Sequence, residues 1–170
     1  FFAFVIEIIK CPALALEGYS HVKQNKIAER YGDMRSEAGK LLRKGWQSIG
    51  ENQYKFVPDL VSPFFELTMI PIKEVQFIGL SVYFAMLERE FAITGAVQQV
   101  ERATVDSLDT VVSAGVADQR YRSFVSATIE NMLRGHPEMA KVGAAFISEI
   151  KQRMDRMLSL IHISEPRRLG

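Results

Sequence analysis

Apolar residues in this chain return every three or four positions, segment after segment, and nowhere does a clean alternation of period two persist. That spacing puts one apolar stripe on each of a series of α-helices and leaves no signal for a strand, so the expected class is all-α. Asp33 is placed to cap a helix whose apolar face is read as Met34, Ala38, Leu41, Leu42 and Trp46, ending near Ile49 with Gly50 in a C-terminal position. Val57, Leu60, Val61, Phe64, Phe65, Thr68 and Met69 keep the same rhythm, punctuated by Pro58, Pro63 and Pro71. Pro58 suits a first turn, where no amide hydrogen is missed; Pro63 costs a hydrogen bond and is expected to kink the helix; Pro71 ends it.

A helix over 73–91 presents Val75, Ile78, Val82, Tyr83, Met86, Leu87 and Phe91 on one face. The next, over 96–113, turns Val97, Val100, Leu108, Val111 and Val112 inward and breaks at Gly115. Asp118 caps a further helix with the stripe Tyr121, Phe124, Val125, Thr128, Ile129, Met132 and Leu133. Gly135 and Pro137 separate it from the last, whose face is Met139, Val142, Phe146, Ile150, Met154 and Met157. Amphipathic helices in sequence, joined by short Gly, Pro and Asp turns, imply stacked antiparallel helix pairs, as in a bundle or an armadillo/HEAT-like solenoid. No internal repeat is evident by eye, so the solenoid expectation rests on helix order and connection length.

The 170 residues suffice for one compact domain or a piece of a solenoid, and 48% hydrophobic residues supply a core. Lys and Arg total 21 against 20 Asp and Glu, a net charge of +1, so no global field favours nucleic acid. The one cysteine, Cys11, permits no internal disulfide, and with three scattered histidines it leaves no zinc-ligand spacing, which fits a reducing, intracellular setting. The opening run FFAFVIEII falls short of the roughly 20 residues that span a bilayer. It lacks the charged leader and cleavage site of a signal peptide. The chain has no initiator Met and is read as a fragment. Its last stretch from Met157, MLSLIHISEPRRLG, is expected to leave the helical pattern, and LSLIHISEP is similar to the translation of a transposase-type sequencing adapter, with Arg167 where such read-through usually has Thr. Residues 1–157 are therefore taken as the native segment and 158–170 as a non-native tail, with no chemistry assigned to His162.

Chemistry is sparse. There is no G-x-S-x-G, GxGxxG or P-loop signature. Cys11 in KCPAL has no histidine nearby to activate it. His21 in SHVK and His136 in GHPE read as element-end residues, capping or solvent-exposed. Glu88 and Glu90 lie two apart, on different faces of a helix, and are expected to be solvated rather than an acid–base pair. Lys40, Arg43 and Lys44 could meet phosphates or acidic lipids but read first as the wet face of an amphipathic helix. Trp46, in register with Leu42 and Ile49, reads as core rather than as an interface anchor. No catalytic, cofactor-binding or metal-binding residue is assigned.

The stretch from Tyr31 to Phe91 carries more specific landmarks: YGDMR, a helix ending at Trp46 with a small turn after it, KFVP, SPFFELTMIP, an acidic–aliphatic KEV, and a phenylalanine-rich helix ending MLERE. Taken jointly and in order, these resemble the DOCK (dedicator of cytokinesis) family of atypical guanine nucleotide exchange factors for Rho-family GTPases, in particular its Rac-directed branch. The similarity extends through DQRYRSFVSATIENML and the final helix to about residue 158, and back to about Lys23. Gly79 and Ser81, in QFIGLSVYFAM, depart from bulkier or prolyl positions of the family and leave the GTPase preference unassigned. The resemblance implies an armadillo-like scaffold between a lipid-binding domain and the exchange domain, without the exchange loop, and so no enzyme by itself. The implied partners are a Rho-family small GTPase through the missing exchange domain, neighbouring domains of the same chain and an adaptor protein. It implies no nucleic acid and no cofactor, and a cytoplasmic protein recruited to the plasma membrane through other domains. Two alternatives stand beside it: an unrelated armadillo/HEAT-type interaction module, and a small all-α enzyme, disfavoured because no convergent polar constellation is visible.

Overall fold

The structure, a computed structural model, describes residues 1–113 and 119–164, with 109–113, 119, 120, 122, 132 and 157–164 in their backbone alone. Among the described residues there is no strand. The α-helices are α1 (Phe2–Lys10), α2 (His21–Tyr31), α3 (Met34–Ile49), α4 (Val57–Glu66), α5 (Lys73–Thr94), α6 (Gln98–Ser113), α7 (Gln119–Arg134) and α8 (Ala140–Ser164). Short 3-10 turns at Pro12–Leu14, Gly50–Phe56, Leu67–Met69 and Pro137–Met139 connect them. The all-α expectation of stacked helices holds.

Helices α4 and α5 occupy the centre. α4 packs against α5 and α6, α5 against α3 and α7, α1 covers α3 and α4, and α8 closes over α6 and α7. α5 buries a wide apolar arc, with Val75, Leu80, Val82, Tyr83, Phe84, Met86 and Leu87 all buried, as a helix packed against several others requires. Phe64 and Phe65 of α4 are fully buried; Phe64 packs on Trp46 with ring centroids 6.1 Å apart, and Phe65 on Tyr83 at 5.4 Å.

Local signals explain the boundaries. Asp33 caps α3 by accepting from the Arg35 and Ser36 amides at 3.0 and 3.4 Å. Gly50 follows α3 with φ of +60°, a region L side chains avoid. Pro58 sits in the first turn of α4, Pro63 lies inside it, and the helix tightens into the Leu67–Met69 turn before Pro71. Gly79 has a packing reason: a Cβ there would stand 3.0 Å from the Phe64 carbonyl oxygen and 3.1 Å from Leu67 Cβ. The departure from the family pattern thus sits where α5 crosses the end of α4 at backbone distance.

Three inward positions are corrected. Met34 and Leu41 are 56% and 54% exposed, because α3 turns Arg35, Ala38, Gly39, Leu42 and Trp46 to the core instead. Phe124 is exposed on α7, whose buried edge runs Tyr121, Val125, Ile129, Leu133. The helical pattern does not stop at Met157: α8 continues to Ser164, since the first proline after Pro137 is Pro166 and nothing earlier breaks the helix. The expectations at Val111, Val112, Gly115, Asp118, Met132, the Met157 and His162 side chains, and the chain beyond 164 lie outside the described residues.

Candidate functional site

The polar groups that matter most in this molecule are inside it. The Glu90 side chain, expected in solvent, is only 2% exposed. Its two carboxylate oxygens accept from the Gln99 and Val100 amides at 2.7 and 2.9 Å, so a residue of α5 caps the first turn of α6. The sequence held a clue: α6 follows Val97, which offers no side-chain acceptor, and its free amides needed one from elsewhere. Gly95, at φ +72°, makes the turn that brings them back to Glu90.

Two phenols tie further helices together. Thr104 donates to the Val100 carbonyl at 2.6 Å, so the Tyr83 hydroxyl, 2.6 Å away, is the donor to Thr104. In the same way Thr68 donates to the Phe65 carbonyl at 2.6 Å, and the Tyr121 hydroxyl donates to Thr68 at 2.5 Å. These bonds join α5 to α6, and the 3-10 turn after α4 to α7. Burial raises both phenols, Tyr121 to about 12 and Tyr83 further, with the threonine hydroxyls offsetting only part of the effect. Ser107 bonds Ser62 and the Ala103 carbonyl, each at 2.7 Å, where α4 meets α6. Gln53 donates to the Trp46 carbonyl at 2.7 Å and accepts from Arg89 at 3.3 Å, fixing the 3-10 turn after α3. Buried hydrogen bonds of this kind fix how helices sit against one another.

The surface candidates are separate from it and from each other. Lys40 reaches Glu37 at 2.7 Å and Glu74 at 3.7 Å, which raise its pKa, while Arg43 and Lys44 are exposed. Trp46 is core. His21 is exposed at the start of α2, and Cys11 is half-buried between α1 and the first 3-10 turn. His136 is more engaged than an element-end residue: its Nδ1 lies 3.1 Å from Glu88 and 3.2 Å from Glu138, with the ring on Phe84 at 5.3 Å. Glu88 is thereby drawn to the α7–α8 connection, away from Glu90. Sequence reading also missed Arg35, 4% exposed and held by Glu17 at 3.0 Å across the α1–α3 connection. Among the described residues no group of three or more His, Cys, Asp or Glu side chains could hold a metal ion, and no helix is long and apolar enough to cross a membrane. What the arrangement can do is hold helices in fixed relation.

Comparison with known proteins identifies the region to which these helices belong. The family model for the dedicator of cytokinesis (DOCK) TPR region matches residues 1–128. Human dedicator of cytokinesis protein 3 is 30% identical over 167 aligned residues, covering 93% of this chain and 8% of the relative. Human dedicator of cytokinesis protein 4 is 29% identical over 158, again 93% of this chain and 8% of its own length. The mouse protein 3 is 29% identical over 167. The chain thus spans about 8% of the length of the curated relatives it matches. Matched over most of its length by a model of this region, and built as a stack of helices tied by buried polar bonds, the chain belongs to the DOCK family.

Proposed function

We propose that residues 1–157 are a scaffold segment of a guanine nucleotide exchange factor for Rac/Rho-family GTPases, and that they position an exchange domain encoded elsewhere in the protein without taking part in exchange. The observation that carries this reading is the buried network of Glu90, Tyr83, Thr104, Thr68 and Tyr121, which invests the polar side chains in holding helices together. The likeness to two dedicator of cytokinesis proteins supports the family activity as that of the whole protein. Its partners are then the neighbouring domains of the same chain, with a Rho-family GTPase and an adaptor met through other regions, in the cytoplasm and at the plasma membrane. Residues 158–170 are assigned to a non-native tail.

The test is to sequence the coding region on both sides of this segment in the source transcript. A β-rich lipid-binding domain upstream and an exchange domain downstream are expected. An open reading frame with further helical repeats and no exchange domain would overturn the assignment.

A further inference from the structure

A groove of about 380 Å³ runs between α3 and α5, walled by Lys40, Arg43, Lys44 and Gln47 on one side and Glu74, Phe77 and Ile78 on the other. The four α3 residues share one face through their spacing of three and four. Gly39 lets the two helices approach, with Ile78 Cδ1 3.1 Å from where a Cβ would stand, so the groove is shallow and floored by hydrocarbon. Its charges are unequal along its length. At one end Lys40 is already taken by Glu37 and Glu74. Beyond it Arg43 and Lys44 are exposed, and among the described residues no carboxylate pairs with either. Beside them Phe77 leaves 52% of its surface in solvent, between the buried Val75 and Ile78 of the same helix.

We infer that this groove docks an acidic protein segment that sets a carboxylate against Arg43 and Lys44 and covers Phe77 with a bulky apolar side chain. Arginine and aromatic residues side by side are the composition of interface hot spots. The charge pattern selects the class of partner. Nucleic acid or an anionic lipid sheet would bring phosphates against Glu37 and Glu74 as well, and two free cations give little purchase on such a surface, each worth about 1 kcal/mol near a charged membrane. A peptide places its acids at one end and its apolar anchor at the other, so it meets the cations and leaves the carboxylate end alone. The outer face of α2 serves as the contrast: Lys23, Lys26 and Arg30 are exposed on a helix that buries none of its residues, and Lys23 and Arg30 lie over the rings of Tyr19 and Tyr31.

The experiment uses the 170-residue chain and a fluorescein-labelled peptide of three Glu-Glu-Leu-Phe repeats, read by anisotropy at physiological salt. Saturable binding is expected, weakened at least about tenfold by Arg43→Glu with Lys44→Glu, and severalfold by Phe77→Ala. Reversing Lys23, Lys26 and Arg30 to Glu together leaves it unchanged. The proposal is overturned by absence of saturable binding, by equal losses from the α2 reversals, or by groove-dependent binding to phosphatidylserine vesicles with none to the peptide. Melting curves accompany each variant, and if the double reversal unfolds the chain, Arg43→Gln and Phe77→Ala singly give the decision.

Discussion

Helices α5 and α2 belong to one chain and treat their surfaces in opposite ways. Ten residues of α5 are buried, over a wide arc of the helix, and its Tyr83 hydroxyl and Glu90 carboxylate bond to α6 rather than to water. α2 buries none of its residues; it is held by its ends, through a Gln24 bond to the Tyr19 carbonyl at 2.8 Å and the left-handed Gly32. An isolated helix of that length is marginal in water, so α2 takes its order from the connections on either side. The difference separates what this segment keeps for itself, a rigid centre, from what it presents outward.

The strongest way to break the contrast is to empty the centre. Phe65→Ala should cost about 3–5 kcal/mol in chemical denaturation, and an unchanged midpoint would move that ring to the surface. Alkaline pH attacks the same region. Tyr83 and Tyr121 are raised in the folded chain, whereas unfolded tyrosine ionises near 10. Their contribution is therefore whole below about pH 10 and is lost as pH climbs toward 12, at about 1.4 kcal/mol per pH unit for each phenol. Tyr83→Phe with Tyr121→Phe should flatten that slope; an identical slope in the double variant would remove the phenols from the account.

Glu90→Ala should cost about 1–3 kcal/mol, since it leaves the Gln99 and Val100 amides without their acceptor. Amide exchange faster at 99 and 100 than elsewhere in α6 would localise the loss to the cap, and uniform exchange would not. At the other extreme, Val22→Ser on the outer face of α2 should move stability by less than about 0.5 kcal/mol. A larger loss would mean that α2 is packed after all.

The helices were legible because their stripes are regular and their ends carry Asp33, Gly50, Pro58 and Gly135. Register on the wheel was less so. A stripe wide enough to hold both Leu41 and Leu42 does not say which faces in, and α3 chose the edge that buries Arg35 beside Glu17. Glu90 was unreadable from spacing alone, because a charged residue near a helix end is solvated unless a neighbouring helix lacks a cap, and that need arises only once α6 folds back. His136 came to Glu88 through a contact of 48 residues' separation in sequence, which periodicity does not report. The prolines around α4 mark boundaries, and the chemistry of the segment sits in threonines and tyrosines whose role appears only when helices meet.

The central proposal is that this segment positions an exchange domain without itself exchanging nucleotide. Release of labelled GDP from Rac and from other Rho-family GTPases, followed with the purified chain at a large excess over each GTPase, tests it most directly. The account predicts the intrinsic rate, unaltered by the chain. A rate that rises with its concentration would contradict the account.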